Sequence, residues 1–170
     1  MARYRDAVQL ARQSGSTPDA ASVRQLAYRP GATLNLEQEL SPELGMFLRA
    51  SVNDGSKEAY EFTEINRSLS GGFSLKGARW GRPDDTFGVA GVINGLSGEA
   101  RDYFAAGGIG ILIGDGQLRY GPEKILEAYY SAQVVGTLKV ALNFQHVTNP
   151  AYNRDRGSVS IVGVRAHVEF

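Results

Sequence analysis

The chain has 170 residues, no net charge at pH 7 and 42% hydrophobic residues, enough for one domain and without the basic excess that nucleic acid attracts. It has no cysteine, which excludes disulfide frameworks, thiol chemistry and thiolate metal sites. No apolar run approaches the ~18 residues of a membrane helix, whereas the 21 glycines, 8 tyrosines and slightly negative mean hydropathy suit a β-barrel, in which only alternate residues face lipid.

Residues 1–30 carry no visible chemistry. Tyr4 to Gln13 has the pattern of a short helix with Ala7, Val8, Leu10 and Ala11 as its apolar face. The stretch 14–19 (SGSTPD) is turn chemistry, and Asp19 or Ser22 is placed to cap a second helical turn. The segment reads as an external loop or a truncated lead-in. Its start, MARYRDAVQLARQ, lacks the apolar core and small-residue cleavage site of a secretory signal. An exported protein is then expected to have lost its signal with further chain, or not to start natively at Met1.

From 31 onward the chain alternates. Side chains of a strand point to opposite faces in turn, so an apolar set interleaved with a polar one marks a half-buried or lipid-facing strand. Over 31–40, Leu34, Leu36, Gln38 and Leu40 oppose Thr33, Asn35, Glu37 and Glu39, and Ser41-Pro42-Glu43 turns the chain. Over 44–52, Leu44, Met46, Leu48, Ala50 and Val52 oppose Gly45, Phe47, Arg49 and Ser51, and a polar stretch follows to about Asn66. Over 67–77, Leu69, Gly71, Phe73 and Leu75 oppose Ser68, Ser70, Ser74 and Lys76. WGRPDD at 80–85 is a turn whose Trp80 suits a membrane–water girdle. Over 86–94, Phe87, Val89 and Ile93 oppose Gly88, Ala90 and Asn94.

The 95–121 segment, with YFAAGGIGILIG inside it, breaks this rhythm. Over 122–135, Leu126, Ala128, Tyr130, Ala132 and Val134 oppose Glu127, Tyr129, Ser131 and Gln133. Over 138–147, Leu138, Val140, Leu142 and Phe144 oppose Lys139, Ala141, Asn143 and Gln145. The last stretch, 158–170, sets Val162, Val164, Ala166, Val168 and Phe170 against Ile161, Gly163, Arg165, His167 and Glu169. It exceeds the ~9–11 residues that a tilted transmembrane strand needs. Ending on an aromatic, it resembles the final strand of a bacterial outer-membrane β-barrel, where that residue is part of the signal read by the barrel-assembly machinery.

Connection lengths agree. With Phe170 on the periplasmic side, 148–157, 95–121 and 53–66 fall outside, while 135–137, 78–85 and 41–43 fall inside. Barrels carry long external loops and short periplasmic turns in this way. The parity holds if 95–121 is a single insertion, with Ile109, Ile111 and Ile113 folded back on the barrel, and fails if 103–113 is a membrane strand. Seven strands are odd, whereas bacterial single-chain barrels have even counts. The expectation is therefore an all-β, antiparallel transmembrane barrel of seven to eight strands here, the carboxy-terminal part of a larger one. An eight-stranded barrel that uses 103–113 or part of 1–30 is the rival.

The series LNLEQEL, FLRASVNDG, SLSGGFSLKG, RWGRPDDTFGVAGV, YGPEKILEAYY, NFQHVTNPAYN and VRAHVEF resembles the carbohydrate-selective porin family, the OprB-like porins. The resemblance runs from about Tyr28 to Phe170. Its most specific pieces are GRPDD followed by GVA at 81–90, and the spacing of Glu123, Glu127, Tyr129 and Tyr130. It implies a sixteen-stranded barrel in the bacterial outer membrane that passes small sugars, glucose among them, down a gradient. Its partners would be those sugars, outer-membrane lipid and the assembly machinery. It implies no enzyme activity, no cofactor and no nucleic acid, and leaves monomer and homotrimer open. A small non-conducting barrel with a structural or adhesive role is the alternative.

A sugar pore needs a wet lumen with hydrogen-bonding groups at a constriction and binding weak enough for release. Alternation assigns to the lumen Asn35, Glu37, Arg49, Ser70, Ser74, Lys76, Glu127, Ser131, Gln133, Lys139, Asn143, Gln145, Arg165, His167 and Glu169. Solute contact is expected foremost at Arg49, Lys76 and Glu127, which lie within strands. Glu37, Asn143, Gln145 and Arg165 follow. His146 and His167 lack the ligand spacing of a metal site. SLSGG is not the G-x-S-x-G of a nucleophile elbow.

Overall fold

The computed structural model describes residues 1–59 and 64–169. Phe170, expected on the apolar face of the last strand, lies outside them, as does 60–63 of the polar connection. Among the described residues seven strands form one antiparallel sheet in chain order. They are β1 (Gly31–Ser41), β2 (Leu44–Asn53), β3 (Arg67–Lys76), β4 (Thr86–Gly95), β5 (Glu123–Val135), β6 (Leu138–Thr148) and β7 (Ser158–Val168). The sheet is open, with β1 and β7 as its edges. Among the described residues no helix is long and apolar enough to cross a membrane.

Register turns the alternation of each strand into two continuous faces. One row runs Leu36, Leu48, Gly71, Gly91, Leu126 and His146, and a second runs Leu40 beside Leu44, Leu75, Phe87, Tyr130, Leu142 and Val164. Most of the large side chains on this face are solvent-exposed hydrophobics, among them Leu34, Leu36, Leu69, Phe73, Leu142 and Val164. A soluble sheet would cover such a surface, since contiguous apolar exposure of this extent marks contact with another apolar phase. The opposite face carries the polar set.

The two ends of the sheet differ. At one end the connections are short. Ser41 leads to Leu44 across two residues, and Val135 to Leu138 likewise. The third, 77–85, opens with a 3-10 turn at Gly77–Trp80. Trp80 Nε1 donates to the Tyr130 hydroxyl at 3.0 Å, and the two rings sit 6.3 Å apart at the edge of the apolar face.

At the other end the long connections build a helical cap with its own core. The helix expected at Tyr4 to Gln13 is present as α1 (Tyr4–Ser14) and buries Tyr4, Ala7, Val8 and Ala11, the i, i+3, i+4, i+7 stripe of an amphipathic helix. Asp19 caps a 3-10 turn at Ala20–Val23 by accepting from the Ala21 N–H at 2.9 Å. Residues 1–23 are thus packed structure rather than open loop. Their partner is α2 (Gly98–Ala105), which Ser97 caps by accepting from the Ala100 N–H at 3.1 Å. Tyr4 lies 4.7 Å from Tyr103 and 5.8 Å from Phe104 between ring centroids. The Tyr103 hydroxyl accepts from the Ala20 N–H and donates to the Ile109 carbonyl.

The rival eighth strand is absent among the described residues. Residues 98–105 are helical and bury both Tyr103 and Phe104 in this core, side chains that a strand would send to opposite faces. From 1–30 only an isolated bridge of Arg3 to Lys57 pairs outside β1. Of the three isoleucines expected to fold back, only Ile113 is buried, and Ile109 and Ile111 remain exposed. Glu64 holds that segment from the side, its Oε1 accepting from the Ile111 N–H at 2.8 Å. Burial pushes the Glu64 carboxyl above the ordinary range.

The best-knit polar group is at the short-turn end. Asp85, 1% exposed, pairs with the Arg82 guanidinium. It also accepts from the Tyr130 hydroxyl at 2.5 Å and the Gln133 N–H at 2.9 Å. The Arg82 pairing, with the help of those two donors and against the cost of burial, holds the Asp85 carboxyl well below the usual carboxylate range. A depressed folded pKa contributes stability that is present above the unfolded value near 3.8 and lost as pH falls toward the folded value. The turn is therefore expected to loosen progressively below about pH 4. Hydrogen exchange of the Gln133 amide across that range is the measurement. Asp85→Asn should abolish most of the pH dependence, and an unchanged acid limb in that variant would refute the assignment.

Candidate functional site

The polar face holds a trough between β2 and β5. Its aromatic rings are seated on two glycines where the strands would otherwise carry side chains. A Cβ on Gly72 would stand 2.7 Å from Phe47 Cε1 and 2.5 Å from the Val89 carbonyl oxygen. A Cβ on Gly88 would fall inside the Tyr129 ring contact. The register explains both: Phe47 lies opposite Gly72, and Tyr129 opposite Gly88. Each ring leans over the glycine of the neighbouring strand, a close approach that only a missing side chain permits. The rings, seated on those glycines, become two apolar walls beside Ser74 and Ala90. The concavity measures about 650 Å³, and Glu37, Arg49, Lys76 and Glu127 are among the charged side chains that border it.

The charges are set by cross-strand geometry. Arg49 Nε donates to Asn35 Oδ1 at 3.0 Å, and its Nη2 donates to Glu37 Oε1 at 3.0 Å. The guanidinium also stands 5.1 Å from the Phe47 ring centroid, within cation–π range. Both partners of the ion pair are more than half exposed, so its role is to fix the guanidinium fork rather than to stabilise the sheet. Across the trough, Glu127 accepts from the side-chain amides of Asn143 and Gln145, which leaves its charge un-neutralised. Lys76 borders the same space and is in no ion pair among the described residues. Two cations, Arg49 and Lys76, and four carboxylates, Glu37, Glu39, Glu43 and Glu127, thus border one space with apolar walls, and Glu43 is paired with Arg79. That arrangement offers hydrogen bonds of both senses.

Of the residues expected from alternation, Arg49, Lys76, Glu127 and Glu37 are brought together here, and Asn143 and Gln145 serve by holding Glu127. Arg165 is elsewhere. It lines a separate concavity of about 230 Å³ near the short-turn end, with Ser131, Lys139, Ala141 and His167. Phe47 and Tyr129 stand on the polar face by alternation, yet sequence reasoning passed over them as site residues. Each faces a glycine across a strand pair, a signal that needs the register to be seen.

A family model described as "Carbohydrate-selective porin, OprB family" matches residues 1–170. A solved structure of Pseudomonas putida OprB at high pH is similar with a TM-score of 0.62 and 20% sequence identity, covering 75% of this chain and 30% of that one. At that identity the likeness is one of fold, and the chain spans about a third of that protein's length. No curated protein matches the chain.

Proposed function

Because the chain belongs to the carbohydrate-selective porin family, OprB, we propose that it forms part of the wall of an outer-membrane pore through which small neutral sugars, glucose and its relatives, diffuse passively. The trough carries this reading. A pyranose has an apolar face and a ring of hydroxyls. Phe47 and Tyr129 offer flat apolar walls, while Arg49, Glu37, Lys76 and Glu127 offer donors and acceptors at the rim. Mixed charge suits an uncharged solute, where a ring of one sign would select ions. The exposed apolar face then meets lipid, Trp80 and Tyr130 sit at its interface, the short turns lie in the periplasm and the helical cap lies outside. The family points to a channel rather than an enzyme.

The test is sugar flux in liposomes containing the protein, with ion conductance measured in parallel. A ring that shields ~40 Å² of apolar sugar surface contributes ~1 kcal/mol, or about fivefold in affinity. Phe47→Ala and Tyr129→Ala should each reduce the saturable component of glucose flux by about that factor while conductance holds or rises. Loss of glucose flux and conductance in the same proportion, or no change in either, would sink the assignment.

A further inference from the structure

The second concavity of the polar face differs in kind from the trough. Its row positions are set by register: Ser131 opposes Ala141, which opposes Arg165, and in the next row Lys139 opposes His167. Ala141 is small and buried, so it forms a floor, and the longer side chains of Lys139, Arg165 and His167 stand around it with the Ser131 hydroxyl. No ion pair joins Lys139, Arg165 or His167 to a carboxylate among the described residues. Gln133, the polar neighbour of Lys139, is turned away, its Nε2 donating to the Gly136 carbonyl at 2.8 Å. Glu127, higher on the same wall, is engaged by Asn143 and Gln145.

Lys139 is directly opposite His167 and diagonal to Arg165, and Glu169, the next carboxylate along this face, is in no ion pair with any of them among the described residues. The donors fit one class of ligand. A guanidinium fork, an ammonium, an imidazole and a hydroxyl around a small floor match the oxygens of a phosphate or carboxylate. We propose that Lys139, Arg165, His167 and Ser131 form a binding station for a small oxyanion, either free or carried on a sugar. The station is separate from the trough and requires only that this face be wet, so neither site depends on the other.

The experiment is a ring-proton NMR titration of the protein in detergent, with His167 assigned by loss of its signal in His167→Gln. His146 lies on the opposite, apolar face and is the internal reference. Inorganic phosphate should shift the His167 signal saturably in the millimolar range and leave His146 unmoved, and methyl glucoside or chloride at matched ionic strength should do neither. Lys139→Gln with Arg165→Gln should weaken the phosphate effect by about tenfold, equivalent to ~1.4 kcal/mol. Lys139→Arg, which keeps the charge, should retain it and serves if the double variant fails to fold. Tighter binding of glucose 6-phosphate than of phosphate would identify an anion carried on a sugar, and equal binding a free one. An unmoved His167, or a shift that chloride or the charge-neutral variant reproduces, would overturn the proposal. A methyl glucoside effect at Tyr129 alone would leave the sugar pore standing without the station.

Discussion

Phe104→Ala is expected to cost the helical cap ~3–5 kcal/mol, the range for truncating a fully buried aromatic. Phe104 is completely inaccessible, and its ring centroid lies 5.2 Å from that of Tyr103 and 5.8 Å from that of Tyr4. Two stiff rings cannot collapse into the space that it leaves, which places the cost toward the upper part of that range. The loss falls on one module. The cap core draws on α1, α2, the Ala20–Val23 turn and the loop residues Leu96, Ile113, Leu118 and Tyr152, while the strands are held by their own ladder, so the cap is expected to open as a unit separate from the sheet. Hydrogen exchange should show α1 and α2 losing protection together while β3–β6 stay protected. Leu10→Ala, on the exposed side of α1, should change stability by no more than ~0.5 kcal/mol. Unchanged exchange of α1 in Phe104→Ala would show that the two helices are not one unit.

Gly72→Val is expected to prevent assembly of the sheet at normal yield. The added Cβ would stand 2.5 Å from the Val89 carbonyl oxygen, 2.7 Å from Phe47 Cε1 and 2.8 Å from Ala90 Cβ. Overpacking of this kind typically costs ~1–3 kcal/mol, and the nearest obstacle here is backbone of the paired strand, which moves only if the β3–β4 ladder shifts. Gly91, on the same pair of strands but on the apolar face, has its nearest neighbour at 3.9 Å, so Gly91→Ala should assemble normally. Boiled and unboiled gel mobility reads folded yield in both. Phe47→Ala should not rescue Gly72→Val, because the Val89 carbonyl remains. Full rescue would mean that the ring, and not the ladder, is what glycine serves.

The same two sites show where sequence reading stops. That Arg49, Lys76, Glu37 and Glu127 share the polar face was legible because a strand's period of two is local and is written in each segment without reference to the others. The strand limits follow for the same reason. β1, β3 and β6 differ from expectation by a single residue at one end, since the alternation stops where the turn residues begin. What these side chains meet was not legible. That Arg49 reaches Asn35 and Glu37, that Glu127 is held by two amides of β6, and that Lys139 stands across from His167 all depend on strand register. A one-residue slip in register would exchange the faces entirely.

The sequence by itself determined that this chain is a set of alternating strands with short connections at one end and long ones at the other, and it carried the family resemblance that the family match confirms. Only the tertiary structure decided that the irregular segments 1–23 and 96–118 are one packed cap, that Ile109 and Ile111 stay exposed while Ile113 is buried, and that two aromatics over two glycines make a trough. The physical reason is range. Periodicity and turn chemistry act over a few neighbouring residues, whereas a core between α1 and α2 and a ring seated on a facing strand arise between residues far apart in the chain, which meet only once every intervening strand has found its place.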